Sequence, residues 1–137
     1  MLGREISCWD EKYRSCLIRP ETVINRHLDP DWRPVLQTPS FPEYTSGHSV
    51  VSGAASTVLE RLVGADVAFV DSTEVPFGLE VRTYPSFRAA AEQAAMSRFY
   101  GGIHYRPAIE HGLTQGRAVG EAVLDRVHTR PAVAEAR

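Results

Sequence analysis

Residues 46–64 read SGHSVVSGAASTVLERLVG, and this stretch decides the fold class. Its apolar residues recur at helical spacing, which predicts an amphipathic helix. They are Val50, Val51, Ala54, Ala55, Val58, Leu59, Leu62 and Val63. Ser46 is a favoured N-cap residue, and Gly64 is of the type that ends helices. We therefore expect a helix that begins after Ser46 and ends at Gly64.

The rest of the chain predicts further helices joined by loops. Residues 5–27 have a helical pattern that Pro20 interrupts or kinks. Ser86 is placed to cap a helix that runs to about Tyr100, and a last helix runs from about Pro107 to Val127. Residues 28–44 hold four prolines and predict an extended loop, while residues 65–85 predict irregular structure with at most a short strand pair. The expected class is all-α, a helical bundle with long Pro-rich loops.

The chain length fits one domain. We expect a single helical catalytic domain over residues 1–128 and a frayed tail over residues 129–137. Gly112, Gly116 and Gly120 fall on one face of the last predicted helix, which lets a neighbouring helix approach closely. The same stripe suggests a homodimer, because a short helical chain needs a partner surface to cover it.

Composition limits the function classes. The formal net charge is −2 over 137 residues, so bulk electrostatics do not favour nucleic acid or an anionic membrane. No run of eighteen apolar residues predicts a membrane span, and the polar N-terminus lacks the apolar core of a signal peptide. The sequence predicts a soluble protein, not an integral membrane protein, and leaves its compartment open.

The first motif is KYRSCLIRP, residues 12–20. Lys12 is the only lysine among fifteen basic residues, and Arg19 lies seven residues later. On one helix that spacing points both cations the same way, where they repel unless an anion lies between them. A solvated basic face is the alternative interpretation.

The second motif is YTSGHS, residues 44–49, at the start of the helix described above. The free amides of a first helical turn bind anions, and Gly47 lets an oxyanion approach the backbone. Ser46 can donate its hydroxyl, and His48 can act as an acid or a base near neutral pH. The alternative is an ordinary N-cap with a surface histidine.

The third motif is SRFYGGIH, residues 97–104. Arg98 ends one predicted helix, and the Gly101-Gly102 break can turn His104 back toward it. A neutral imidazole nitrogen is both a nucleophile and a metal ligand. A loop histidine beside a structural arginine is the alternative.

Taken together, the three motifs point to an oxyanion site. Their cations can neutralise several negative oxygens, the helix start can donate amides, and the histidines can supply a base and an axial nucleophile. The expected anion-binding residues are Lys12, Arg19, Ser46, Gly47 and Arg98, and the expected catalytic residues are His48 and His104.

The order of the motifs resembles the signature of the type 2 phosphatidic acid phosphatase superfamily, which includes the vanadium-dependent haloperoxidases. That signature is K-x6-R-P, then P-S-G-H, then S-R-x5-H-x3-D. This chain matches the first part completely, matches S-G-H in the second and matches S-R-x5-H in the third. The stretches 41–55 and 97–119 look most like the soluble bacterial haloperoxidase branch, whose members are longer and often exported.

Two positions depart from the family pattern. Thr45 stands where the family has proline, and Ala108 stands where it has the aspartate that orients the last histidine. Glu110 is the expected substitute for that aspartate.

The resemblance implies a function and a set of roles. It implies an enzyme that oxidises halide with hydrogen peroxide at vanadate bound to His104, the metal-binding residue, with Lys12 polarising peroxide and His48 as the acid–base group. Phosphate could occupy the same site. The alternatives are an acid phosphatase, which would hydrolyse phosphate esters through a phosphohistidine at His104, and a non-catalytic remnant that only binds oxyanions.

Overall fold

The computed structural model describes residues 2–127 as five helices and one small hairpin. The expected tail, residues 129–137, lies outside this range. The helices are α1 (Leu2–Ser15), α2 (Pro20–His27), α3 (Gly47–Val63), α4 (Phe87–Tyr100) and α5 (Arg106–Arg126), and the strands are β1 (Phe69–Asp71) and β2 (Arg82–Tyr84). The all-α helical bundle predicted from the sequence is confirmed.

The hairpin is the only sheet within residues 2–127. Its strands pair antiparallel, with Phe69 opposite Tyr84, and a short 3-10 turn over Val75–Phe77 lies between them. This is the short strand pair expected within residues 65–85. No helix among the described residues is long and apolar enough to cross a membrane.

Helix α3 is the central element and packs most extensively on α5 and then on α4. The Ser46 hydroxyl oxygen accepts the amide of Ser49 at 3.4 Å, as expected of an N-cap, and the helix ends at Gly64. Val50 and Ala54 are fully buried on the face that meets the other two helices. The cap residues therefore predicted both ends of the helix, whereas the apolar pattern predicted its core face only in part, because Val51, Leu59, Leu62 and Val63 are exposed.

The glycine stripe of α5 lies against α3. A Cβ added at Gly112 would meet the Ser49 side chain at 2.8 Å, and one added at Gly120 would meet Thr57 at the same distance. The close approach predicted from the stripe therefore occurs inside the chain. As a consequence, the stripe is not a free surface for a second copy, so it no longer supports the expected homodimer.

The segment between α1 and α2 differs from the prediction of one kinked helix. The first helix ends at Ser15, and Cys16 has a positive φ of 48°. Arg19 is extended, with φ −75° and ψ 154°, because the ring of a following proline disfavours the helical region for the residue before it. Lys12 and Arg19 therefore do not share a helix, and the geometric reason given for their convergence was wrong.

Residues 28–44 form the extended loop that their prolines predict, without helix or strand. The loop is fixed at several points by main-chain hydrogen bonds, including Leu36 N to Gly101 O at 3.1 Å and Glu43 N to Leu17 O at 2.8 Å. It thereby crosses from the end of α4 to the break between α1 and α2. This path brings its last residues to the N-terminus of α3.

We predict that Gly116→Ala destabilises the protein by about 2 kcal/mol, because the new Cβ would collide with the Val50 carbonyl oxygen on α3. Urea unfolding followed by circular dichroism measures the change. Ala118→Ser, on the exposed side of the same helix, is the control and should leave the free energy of unfolding nearly unchanged. Equal stability of the two variants would contradict the packing described here.

Candidate oxyanion site

A cavity of about 370 Å³ opens where α1, the Pro-rich loop, the start of α3 and the end of α4 meet. Six of the seven predicted site residues line it: Lys12, Arg19, Gly47, His48, Arg98 and His104. The remaining wall is mainly apolar and includes Trp9, Phe41, Val51 and Ile103.

Ser46 is the predicted site residue that is absent from the cavity wall. Its side chain is fully buried and caps α3, while its amide donates to Ala108 O at 3.0 Å. Gly47, the first residue of the helix, does line the cavity. The first amides of a helix have no partner within it, so the backbone at Gly47 and His48 offers donors at the cavity edge.

Lys12 is buried, with 2% of its surface exposed. Its ammonium donates to three main-chain carbonyls: Pro42 O at 3.0 Å, Glu43 O at 3.0 Å and Thr45 O at 2.6 Å. These three bonds use all the donors of an ammonium group. Burial lowers the pKa of Lys12 to about 8, with an opposing contribution from Cys8, so the group still carries its charge at pH 7.

Arg19 is buried too and binds the same loop. Its Nε donates to Phe41 O at 3.1 Å, and its Nη2 donates to Pro42 O at 3.2 Å. Its Nη1 donates to Ile103 O at 2.9 Å and contacts His104 Nε2 at 3.1 Å. Lys12 and Arg19 therefore converge, as predicted, but main-chain carbonyls lie between them where the sequence suggested an anion.

Arg98 differs from the other two cations. Its Nε is buried without a hydrogen-bond partner among the described residues. A buried donor without a partner costs roughly 1–3 kcal/mol, which a bound acceptor would recover. Arg98 also lines the cavity, so a ligand there would lie beside a guanidinium whose Nε lacks a partner.

His48 lies at the mouth of the cavity, where it is partly exposed. Partial burial lowers its pKa, and the positive charge of Arg98 lowers that pKa further. The imidazole is therefore neutral at pH 7 and able to accept a proton.

The tautomer of His104 follows from its two partners. A guanidinium only donates, so Nε2 accepts from Arg19, and Nδ1 carries the proton. Nδ1 donates that proton to Glu43 Oε1 at 2.6 Å. Burial lowers the pKa of His104, although the bond to Glu43 opposes the shift, so the ring is neutral at pH 7.

Glu43 is the site residue that the sequence interpretation missed. Glu110, expected to orient His104, is exposed on α5, and the carboxylate at His104 is that of Glu43, which is 1% exposed. Oε1 of Glu43 also accepts the amide of Tyr105 at 3.0 Å. The available signal was the position of an acidic residue next to the helix start, at the end of the loop between the first two motifs.

The donor set fits an oxyanion. The cavity combines an unpartnered Arg98 donor, helix-terminal amides and the lone pair of His104 Nε2. No group of three His, Cys, Asp or Glu side chains within the described part of the chain could hold a metal ion by itself. A vanadate ion, which brings its own oxygens, fits these residues, and a phosphate fits them by the same charges.

The helical bundle and the cation-lined cavity define a domain of the vanadium haloperoxidase type. The chain belongs to the family of the VCPO second helical-bundle domain, which matches residues 25–131. No curated protein matches the chain significantly.

Solved structures agree with this assignment. The crystal structure of the first bacterial vanadium-dependent iodoperoxidase is 65% identical over 91% of this chain, with a TM-score of 0.87. Apo-type and holo-type bacterial vanadium-dependent chloroperoxidase structures are each 21% identical, cover 90% and 88% of this chain and have TM-scores of 0.75, which shows a shared fold. The chain spans only about a third of those proteins, from 30% to 33% of their length.

We predict that Lys12→Met destabilises the protein by about 3 kcal/mol, because three buried carbonyls lose their donor. Chemical unfolding measures the change. Arg14→Met removes an exposed cation from the same helix and should cost less than about 0.5 kcal/mol. Equal, small effects would mean that Lys12 does not fix the loop.

We predict that Arg98→Gln raises the pKa of His48, because one of the two causes that lower it is removed. The partial burial of His48 remains, so its pKa should stay lower than that of a fully exposed histidine. A proton NMR titration, with His48→Gln to assign the resonance, measures the shift. Arg88→Gln removes a cation that pairs with Glu60 instead, and it should leave the titration unchanged; an unchanged curve in Arg98→Gln as well would contradict the assignment.

Proposed function

We propose that this protein provides the vanadate-binding part of a haloperoxidase that oxidises halide with hydrogen peroxide. The observation that carries the proposal is a cavity lined by three cations and by a neutral, buried histidine, His104, whose Nε2 lone pair faces Arg19. The 65% identity to a vanadium-dependent iodoperoxidase favours a peroxidase over a phosphatase.

In this proposal His104 is the vanadium ligand through Nε2. Arg19 Nη1 occupies that lone pair at 3.1 Å, so the guanidinium must exchange the imidazole for an oxygen of the bound anion. Such an exchange keeps the Arg19 proton in a hydrogen bond and gives it a charged acceptor, which strengthens the bond. Bound vanadate would supply the Lewis-acid centre at which hydrogen peroxide oxidises the halide.

The cations take different roles. Arg98 lines the cavity, so its guanidinium would donate directly to the anion. Lys12 contributes its positive charge across a short distance, because its three N–H groups already bind carbonyls. Any direct bond from Lys12 to the anion or to peroxide requires one of those carbonyls to give way.

The remaining predicted residues complete the proposed site. The amide of Gly47 would donate to the anion, and Ser46, whose buried side chain caps α3, would support that amide by fixing the start of the helix. His48 is neutral at pH 7 and takes a proton from peroxide or gives one to the product. The apolar wall at Trp9, Phe41 and Val51 limits water in the cavity.

We predict that the protein binds vanadate and, when loaded, oxidises iodide or bromide with hydrogen peroxide. Isothermal titration measures the binding, and trapping of the oxidised halogen by a phenolic dye measures turnover. His104→Ala should abolish vanadate binding because the proposed vanadium ligand is lost, whereas His48→Ala should retain binding and lose turnover. His27→Ala, on an exposed part of α2, is the matched control and should change neither the vanadate affinity nor the turnover.

The alternatives give different results in the same experiment. Hydrolysis of p-nitrophenyl phosphate without halide oxidation would replace the peroxidase by a phosphatase. Vanadate binding with neither activity would leave an oxyanion-binding domain. Unchanged vanadate affinity in His104→Ala would contradict the proposed role of His104 as the vanadium ligand.

A further inference from the structure

We propose that Glu43 is a positioning residue that holds His104 in the tautomer able to bind vanadium. The inference rests on the proposed function for its ligand, since it assigns the source of the lone pair that vanadate would use. It places on the Pro-rich loop a role that the family pattern gives to an aspartate on the last helix, at the position of Ala108.

Two independent contacts impose the same tautomer. Glu43 Oε1 lies 2.6 Å from His104 Nδ1, and a carboxylate oxygen requires the proton on that nitrogen. On the other side of the ring, Arg19 Nη1 requires a lone pair on Nε2. The arginine contact must be released when an anion binds at Nε2, so Glu43 alone then keeps the tautomer. A carboxylate on the distal nitrogen of a metal-binding histidine also makes the ring a better ligand.

The orientation of Glu43 is itself fixed by its main chain. Its carbonyl accepts Lys12 Nζ at 3.0 Å, and its amide donates to Leu17 O at 2.8 Å. Its Oε1 accepts a second bond from the amide of Tyr105, the residue after His104. The carboxylate is therefore held through Oε1, since Oε2 is buried without a partner among the described residues, and Oε1 cannot leave the imidazole without losing these buried hydrogen bonds.

Position 108 cannot supply the same contact in this chain. Ala108 is 1% exposed and has no polar side-chain atom, and its carbonyl accepts the amide of Ser46. The carboxylate that reaches Nδ1 of His104 is instead that of Glu43, which lies 61 positions before His104 in the sequence. The chain thus keeps the histidine–carboxylate pair while changing the element that provides it.

Measuring the affinities for both vanadate and phosphate distinguishes the positioning of His104 from a general effect of the Glu43 charge. Glu43→Gln removes a negative charge near Lys12 and Arg19 but keeps an oxygen that can accept the Nδ1 proton. Charge alone predicts tighter binding of every anion. Positioning predicts weaker vanadate binding, by about tenfold, because the ring becomes a poorer ligand, while phosphate binding stays unchanged or strengthens. A loss of affinity for vanadate that phosphate does not share cannot come from a general loss of structure.

The experiment combines titration with NMR of the ¹⁵N-histidine-labelled protein. In the unliganded wild type we expect His104 to show a protonated Nδ1 and a lone pair on Nε2. Glu43→Gln should keep this spectrum and show the opposite shifts in vanadate and phosphate affinity, and Glu43→Ala should show mixed tautomers. Glu110→Gln, which alters an exposed carboxylate on the helix after His104, should change nothing.

Two outcomes would overturn the proposal. One is a rise in both vanadate and phosphate affinity in Glu43→Gln, and the other is an unchanged vanadate affinity. Because Glu43→Ala removes a buried acceptor and can fail to fold, Glu43→Gln is the decisive variant, with thermal unfolding as the check of its structure. A wild-type protein that shows the expected tautomer and binds no vanadate would refute the proposed function and leave the positioning of His104 by Glu43 intact.

Discussion

The burial of two cations against main-chain carbonyls is the constraint on which the site depends. Lys12 and Arg19 are both nearly inaccessible, and neither forms an ion pair within the described residues. A buried charge without hydrogen bonds is too costly to persist, so the carbonyls of residues 41–45 supply the acceptors. The Pro-rich loop is consequently held in one conformation, and Glu43 and the start of α3 are held with it.

The packing of α3 on α5 fixes the other side of the cavity. Glycines on α5 let the two helices approach until their backbones meet side chains, which sets the position of the α3 N-terminus. The amide of Ser46 then bonds to Ala108 O in the first turn of α5, the helix that begins just after His104. Two separate constraints, loop to cation and helix to helix, therefore bring Gly47 and His104 to one cavity.

The features that sequence could predict are those determined locally. The caps at Ser46 and Ser86 and the stop at Gly64 depend on residues within a turn or two, and the structure places them as predicted. The pairing of Glu43 with His104 spans 61 positions and leaves no local pattern, so a nearby acidic residue, Glu110, was chosen wrongly. Lys12 and Arg19 do line one cavity, as the sequence predicts, but the helix expected to bring them together is broken before Pro20. The family motif therefore predicted their convergence better than the helical periodicity did.

Anion affinity at this site must reflect a competition. The cavity wall carries three positive groups, Lys12, Arg19 and Arg98, against the one carboxylate that bonds to His104, that of Glu43, so the field still favours an anion. Yet the donors of Lys12 are all used by carbonyls, and Arg19 already binds carbonyls and His104 Nε2. Among the described residues, Arg98 Nε and the first amides of α3 can bind an anion without displacing another acceptor. The free energy of binding then has two parts. One is the gain from new hydrogen bonds at Arg98 and at the start of α3. The other is the difference in hydrogen-bond strength when Arg19 exchanges a carbonyl or the imidazole for an oxygen of the anion.

A ligand that only carries charge gains little when Arg19 exchanges its partner, whereas one that also accepts the lone pair of His104 gains a coordinate bond. This difference would give a site built from general cations its preference for vanadate over other tetrahedral oxyanions.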